Sequence, residues 1–359
     1  MMEREIDQAK SEAFAGQMVS MLNHAAVALM TSVGHQLGLF DTMATLPPAT
    51  STQIAAAAGL NARYVREWLG AMVTGRIIDH SPDDETYSLP PEHAAWLTRR
   101  AGTNNMAMQT QYIPMLAQVE ARIIECFRNG GGVPYSAYPH FQRLMGEESR
   151  AVHDASLIDA ILPLVPGLVP RLQAGIDVAD IGCGSGHAIN LMARAFSQSR
   201  FVGFDMSEEG IAAGRAEAQQ MGLSNAYFEI RDVTQLDASS RYTLITAFDA
   251  IHDQAQPARV LRGIGDALRP DGTFLMVDIA ASSRLSENLD LMLGAFMYTV
   301  SCMHCMTVSL DRGGAGLGAM WGEQKARQML AEAGFTRVDV KRIEGDLFNN
   351  YYIATELGR

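Results

Sequence analysis

Four cysteines in 359 residues are too few and too scattered to staple a chain of this size. A disulfide framework is excluded, and with it the small secreted scaffolds that depend on one. No apolar run reads as long enough to span a bilayer, and the start, Met1-Met2-Glu3-Arg4-Glu5-Ile6-Asp7, is too charged for a signal peptide. Bases are scarce as well. The 28 Lys and Arg against 40 Asp and Glu leave a net charge of −12, which argues against a protein that wraps nucleic acid or lies on an anionic membrane. The expectation is a cytoplasmic protein without a membrane partner. What the chain has is length, with room for two or three domains and a large core.

The stretch Val178-Ala179-Asp180-Ile181-Gly182-Cys183-Gly184-Ser185-Gly186-His187 reads as a buried strand running into a glycine turn that opens a helix. Glycine allows the tight turn and lets a ligand touch bare main chain. A dinucleotide fingerprint needs glycine at the first, third and sixth positions, and the sixth from Gly182 is His187. Here the glycines fall at the first, third and fifth positions, with Asp180 two residues ahead. That pattern resembles the first motif of class I S-adenosylmethionine (SAM) methyltransferases. Arg200 to Met206 reads as a second buried strand ending at Asp205, where an acid can accept hydrogen bonds from a ribose diol. Ala226 to Ile230 reads as a third, ending at Arg231-Asp232-Val233. The family places its ribose acid and its adenine-binding carboxylate at these two points. The resemblance therefore implies SAM as cofactor and S-adenosylhomocysteine as product. It assigns cofactor binding to Asp180, Gly182, Cys183, Gly184, Gly186, Asp205, Met206, Asp232, Val233 and Phe248.

Tyr242 to Phe248 reads as a fourth strand, and Pro257 to Leu268 as a helix with Val260, Leu261, Ile264 and Leu268 at helical spacing. The turn Arg269-Pro270-Asp271-Gly272 then delivers a fifth strand, Thr273 to Asp278. A helix from Gly322 to Ala333 stops at Gly334, and Arg337 to Ile343 and Tyr351 to Glu356 supply two more strands. The predicted fold over residues 173–359 is α/β: a seven-stranded, doubly wound, Rossmann-like sheet with its ligand at the carboxyl ends of the first strands.

Residues 1–100 read as a winged helix. Leu22 to Leu39 is a long apolar helix, Thr50-Ser51-Thr52-Gln53 caps a second through Ala58, and Gly59-Leu60-Asn61 turns into a third. Tyr64, Val65, Trp68, Leu69, Met72 and Val73 are predicted to share one face of that third helix. Ile77 to His80 and Thr86 to Leu89 flank the polar tip Ser81 to Glu85. A DNA reader would carry bases on the third helix and wing, whereas only Arg63, Arg66 and Arg76 lie in the helix region and the wing carries Asp83, Asp84 and Glu85. Nucleic acid is the disfavoured partner. In many small-molecule O-methyltransferases a winged helix at this place is a dimerisation module, so the resemblance implies a homodimer.

A helical connector, residues 101–172, carries Gly130-Gly131-Gly132-Val133-Pro134-Tyr135-Ser136-Ala137-Tyr138-Pro139-His140-Phe141. Its aromatics suit two roles: a lid over cofactor and acceptor that includes Tyr135 and Tyr138, or an anchor of the connector to the core. After the fourth strand, Asp249-Ala250-Ile251-His252-Asp253-Gln254 resembles the His-Asp pair of plant-type O-methyltransferases. The resemblance implies that His252 takes the proton from the acceptor hydroxyl and that Asp253 supports the ring or the loop. Imidazole suits the task because its ordinary pKa lies near neutrality. Gln254 stands where the plant-type enzymes usually have tryptophan.

In related enzymes the insertion after the fifth strand forms the acceptor pocket, which nominates Phe296, Met297, Tyr298, His304 and Met306 within Met292 to Met306. Cys302 and Cys305 form a C-x-x-C pair, but no second pair follows at zinc spacing, and no metal is expected. Arg312-Gly313-Gly314-Ala315-Gly316-Leu317-Gly318 reads as a flexible rim loop, since no Lys-Ser/Thr follows it. The expected activity is SAM-dependent methyl transfer to a small-molecule acceptor, with O-methylation by a His252 base in front. S-methylation of a small thiol, which needs alignment and desolvation more than a base, and a SAM-responsive winged-helix regulator are the alternatives.

Overall fold

A computed structural model describes residues 6–236, 239–346 and 348–358. The chain divides into two compact units, Met1–Pro114 and Met115–Arg359.

The first unit opens with α1 (Gln8–Gln36). It starts well before Leu22 because Asp7 caps it, accepting from Lys10 N at 3.2 Å. At 29 residues and a mean hydropathy of 1.2, α1 is long and apolar enough by length and composition to cross a membrane, contrary to the expectation that no such run exists. Its second half is instead built into the unit. Thr31, Ser32 and His35 are buried, Trp68 Nε1 donates to Met30 O at 2.8 Å, and a Cβ on Gly34 would fall 2.5 Å from the Trp68 ring. Next come α2 (Leu39–Met43), α3 (Ser51–Ala58) and α4 (Ala62–Thr74). A reciprocal Thr50/Gln53 capping box starts α3, and Gly59, at φ 67°, ends it. On α4, Val65, Trp68, Leu69 and Met72 are buried, but Tyr64 is 79% exposed, one step outside the apolar face. The antiparallel wing, β1 (Asp79–Ser81) and β2 (Thr86–Ser88), pairs Asp79 with Ser88 and Ser81 with Thr86. Then follow α5 (Pro91–Leu97), α6 (Met106–Gln109) and α7 (Tyr112–Ala117).

The second unit continues with α8 (Glu120–Asn129), α9 (Phe141–Ser156) and α10 (Leu168–Ala174), and then alternates: β3 (Asp177–Ile181), α11 (His187–Ala195), β4 (Arg200–Asp205), α12 (Glu208–Gln220), β5 (Ala226–Ile230), β6 (Tyr242–Phe248), α13 (Pro257–Ala267), β7 (Leu268–Ile279). After α14 (Gly294–Val300) and α15 (Met306–Asp311) come α16 (Gly322–Glu332), β8 (Phe335–Lys341) and β9 (Asn349–Leu357). The seven strands lie in the order β5-β4-β3-β6-β7-β9-β8, parallel except for β9, which is antiparallel to both neighbours. Of the five consecutive parallel strands, β4, β3, β6 and β7 read as apolar runs because helices cover both faces, whereas the edge strand β5 buries only Phe228. On one face Val260, Leu261, Ile264 and Leu330 pack with Ile245 and Phe274; on the other Leu157, Ile161, Leu172, Ile189 and Met192 pack with Leu244 and Leu275.

Two boundaries differ from the pattern. β7 begins at Leu268, so Arg269 to Gly272 runs within the strand, with the register against β6 shifting between Tyr242 and Leu244. β8 begins at Phe335, whose buried ring lies 6.0 Å from that of Phe274. Strand order reverses between β3 and β6. The residues just beyond their carboxyl ends, from Gly182 and from Asp249, flank the crevice where such sheets bind ligands.

Candidate active site

Gly182, Gly184 and Gly186 all take positive φ, 69°, 53° and 70°. A Cβ on Gly182 would meet Ala250 Cβ at 2.5 Å, and one on Gly186 would overlap the Phe228 ring, but at Gly184 nothing lies within 4 Å. Gly184 is thus the open floor of the turn. Its N–H donates to Asp205 Oδ2 at 2.8 Å, and Ser207 N donates to Oδ1 at 2.8 Å. Main chain alone therefore fixes the Asp205 carboxylate at the end of β4, with lone pairs left over for a ligand. Asp180 is different. It is buried in β3, accepts from Thr246 Oγ1 at 2.7 Å, and burial pushes its pKa up to about 7 against the pull of that bond. Cys183 is half-buried against Gly203, and burial raises its thiol. Asp232 is exposed and accepts from Thr234 N and Oγ1 at 2.9 and 2.8 Å; Val233 beside it is buried. Met206 is exposed, with Arg312 Nη1 3.4 Å from its sulfur. Phe248 meets the His153 ring edge-on at 4.8 Å.

Behind the glycine turn lies a network that sequence reasoning missed. His187, noted only for not being glycine, is buried, with Nδ1 2.9 Å from Glu217 Oε1 and Nε2 3.0 Å from Asp154 Oδ1. Asn190 donates to Glu217 Oε2 at 2.8 Å, and Arg150 pairs with Glu217 at 2.9 Å. These bonds tie α9, α11 and α12 together behind the turn.

The strand β6 gives way at Asp249, a non-glycine residue at φ 51°, to the loop carrying His252. The imidazole is 5% exposed, and its Nδ1 lies 2.9 Å from Oδ1 of Asp278. Asp278 is completely buried at the carboxyl end of β7. The same oxygen accepts from Ile279 N at 2.8 Å and Trp321 Nε1 at 3.1 Å. Burial pushes the pKa of His252 down, but the Asp278 carboxylate outweighs it and holds the ring well above its ordinary value. The Nδ1 partner is therefore Asp278 and not the adjacent Asp253, whose carboxyl burial pushes up to about 6 against the pull of His252. The signal for Asp278 was present in the sequence: an acid closing the apolar run Thr273 to Val277.

The loop is clamped from behind. Ser309 Oγ donates to Gln254 O at 2.8 Å, Ala315 N to Ala255 O at 3.0 Å, and Gly318 N to His252 O at 3.2 Å. A Cβ on Gly314 would fall 2.5 Å from Ala255 Cα. The glycine-rich run is thus not a loose rim; its glycines permit a close approach to the loop that carries His252. Gln254 itself turns back to Ala250 O at 2.8 Å.

A π-turn, Ser301–Cys305, joins α14 to α15. Its His304 stacks on Phe141 with ring centres 3.9 Å apart and 13° between planes. Tyr138 and Tyr135 stand edge-on to it at 4.7 and 5.3 Å. Its Nε2 is buried without a hydrogen-bond partner among the described residues, and burial, then His252, pushes its pKa down to about 3, leaving a neutral ring. Tyr138 Oη donates to Met303 O at 2.5 Å, and Val133 N to Thr307 Oγ1 at 2.9 Å. These bonds anchor the glycine-proline segment to the π-turn and α15, while the Tyr135 ring stands edge-on to Phe141 at 5.1 Å, and burial, then the charge of Asp253, raises its phenol well above the ordinary value. Of the remaining pocket candidates, Met297 lines a small apolar cavity with Ile279, Ala280, Leu293 and Phe348. Phe296 and Met306 are half-buried. Tyr298 is exposed and receives a hydrogen bond from Asn288 at 3.0 Å.

Residues 25–99 match the family model of an Rv2258c-like winged HTH domain, and residues 172–336 match that of a methyltransferase domain. Residues 172–336 thus carry a methyltransferase domain. Similar curated proteins include the ubiquinone biosynthesis O-methyltransferase of Acinetobacter baumannii (strain AYE), 30% identical over 101 residues, 28% of this chain and 42% of that protein. An arsenite methyltransferase of Aquipseudomonas alcaligenes is 32% identical over 133 residues, 34% of this chain and 38% of that protein. The chain thus spans less than half the length of the curated relatives it matches. Among solved structures, mitomycin 7-O-methyltransferase MmcR superposes with a TM-score of 0.72 at 18% identity, over 97% of this chain and 99% of that one. Human N-acetylserotonin methyltransferase in complex with SAM gives 0.67 at 16% identity, over 99% of each chain. At these identities the likeness is one of fold. The methyltransferase domain fits SAM on its own geometry: an open glycine floor at Gly184 and an oriented acid at Asp205 occupy the crevice where the strand order reverses.

Proposed function

We propose that the protein transfers the SAM methyl group to a hydroxyl of a small-molecule acceptor, with His252 as general base. The observation that carries this reading is the buried His252–Asp278 pair beside the crevice. SAM, when bound, supplies a methyl group already activated on a sulfonium. Gly184 and Asp205 would hold the cofactor, with Gly182, Gly186 and Phe248 shaping its crevice. Asp278 holds Nδ1–H and so fixes the tautomer in which Nε2 can accept the acceptor's proton. The carboxylate then stabilises the imidazolium that forms, as a buried counter-charge can. The Met292 to Met306 segment and Tyr135 are proposed to wall the acceptor, with His304 the polar group among rings. The aromatic walls favour a flat acceptor. We propose further that the protein works as a homodimer.

The test is transfer of radiolabelled methyl from SAM to a panel of phenols, hydroxy acids, amines and thiols, by wild type and His252→Ala across pH. We expect turnover on a hydroxyl acceptor to fall about 10²–10⁴-fold in the variant. Turnover confined to thiols and indifferent to the substitution would replace the base mechanism with alignment of an already ionised sulfur.

A further inference from the structure

Gly184 and Ser185 of the glycine turn are held between two helices. On the α12 side, a Cβ on Gly210 would fall 2.6 Å from Gly184 O, and one on Gly214 would fall 3.0 Å from Ser185 O. On the α9 side, a Cβ on Gly146 would touch Ser185 Oγ at 3.6 Å. The residue that leaves the turn is His187, which is 4% exposed and meets both helices, through Glu217 on α12 and Asp154 on α9. We propose that His187 is a positioning residue for SAM: as an imidazolium it bolts α9 and α12 against the turn and so fixes the floor on which the cofactor lies.

The charge follows from the geometry. Both ring nitrogens face carboxylate oxygens, Nδ1 at 2.9 Å and Nε2 at 3.0 Å. A neutral imidazole has a single N–H and an ionised carboxylate only accepts, so the doubly protonated ring alone makes both contacts together. The charges then close: Glu217 and Asp154 against His187 and Arg150, with Arg150 Nη1 2.9 Å from Glu217 Oε1. Burial pushes the Glu217 carboxyl up, but Asn190, His187 and Arg150 outweigh it and hold it below the usual range. His187 is also the first residue of α11, a position that disfavours a cation, so the ring needs both carboxylates.

The same helix reaches the cofactor's crevice one residue earlier. His153 meets Phe248 edge-on at 4.8 Å, and burial, then His187, pushes its pKa down to about 4, leaving a neutral ring. The titratable and charged groups that face His187 are therefore Arg150, His153 and Asp154 on α9 and Glu217 on α12. When rising pH takes one proton from His187, one carboxylate loses its donor. Glu217 keeps Arg150 and Asn190, whereas the Asp154 side chain, 53% exposed, exchanges the ring for water. α9 is the helix released, and the turn loses its support on that side.

The experiment measures SAM affinity of the full chain by calorimetry across pH, with His187 titrated by NMR on histidine-labelled protein. Wild type is compared with His187→Gln, Asp154→Ala and, as a control, Asp159→Ala, an exposed acid in the turn that follows α9. SAM's own ammonium titrates alike in all four, so differences between the proteins isolate the imidazole. Wild-type affinity should fall about fivefold or more as pH rises through the His187 midpoint, and by linkage SAM should move that midpoint upward. Asp154→Ala, the safer variant for folding, should bind at low pH with the weaker affinity that wild type shows at high pH, with little change in melting temperature. His187→Gln should lack the step, and Asp159→Ala should keep it. A wild-type affinity that crosses the His187 midpoint without a step, or Asp154→Ala binding as tightly as wild type at low pH, would overturn the proposal and leave the network as packing behind the turn. Affinity and midpoint need no acceptor, so either outcome is independent of the base assigned to His252.

Discussion

Three glycines with the same sign of φ do different jobs in the turn after β3. Gly184→Ala puts a methyl group into open space, so its cost is the left-handed backbone alone, about 1–2 kcal/mol. The fold should survive, with SAM affinity by calorimetry reduced at least about tenfold because the methyl group projects into the cofactor's floor. Gly186→Ala drives a methyl group into the Phe228 ring and should lower the melting temperature far more. Equal melting temperatures for the two variants would contradict this division. At the neighbouring acid, Asp278→Asn removes the charge that holds His252 up, and burial then pushes the ring down. The acidic limb of the pH–rate profile should move to lower pH while kcat falls, since the imidazolium loses its counter-charge. An acidic limb that stays in place would sever Asp278 from the base.

Between elements, the decisive contact is that of the Gly130 to Phe141 segment with α15 and the π-turn. Gly132 lies so close to α15 that a Cβ would overlap Thr307 O, and Val133 N bonds Thr307 Oγ1. Gly132→Ala should lift the segment off α15, at a cost of about 1–3 kcal/mol in urea unfolding. It should raise the acceptor KM and spare SAM affinity, because Tyr135 and Phe141 shift while the turn after β3 does not. A variant with unaltered acceptor KM would reduce the segment to a plain anchor. The same scale explains why the aromatics could be read two ways from sequence: Tyr138 anchors through its hydroxyl, and Tyr135 stands edge-on to the rings of Phe141 and His304.

For the whole molecule, the first half of α1 is the feature most in need of a partner. Phe14, Val19 and Leu22 are 60%, 60% and 70% exposed, whereas the second half is built into the winged-helix core. If the protein is a homodimer through this helix, Phe14→Asp with Leu22→Glu should shift sedimentation velocity from dimer to monomer with little change in melting temperature. A wild type that sediments as a monomer would remove the dimer from the proposal.

The sequence alone determined what is written locally. The glycine spacing from Gly182 to Gly186, the acids one strand and two strands on, and the apolar runs of β3, β4, β6 and β7 were legible, because a turn's backbone geometry and a buried strand's composition are properties of consecutive residues. Thr50 and Gln53 announced α3 for the same reason. The surroundings of the base were not local. Asp278 lies 26 residues from His252 and reaches it because β6 and β7 pair in parallel, bringing their carboxyl ends side by side. His304 meets Phe141 from a π-turn that no helical periodicity announces, and His187 finds Glu217 only when α11 and α12 pack. Short-range chemistry selected the turn and the strands; sheet register and helix packing chose which buried charge each imidazole meets, because those neighbours are made by tertiary folding.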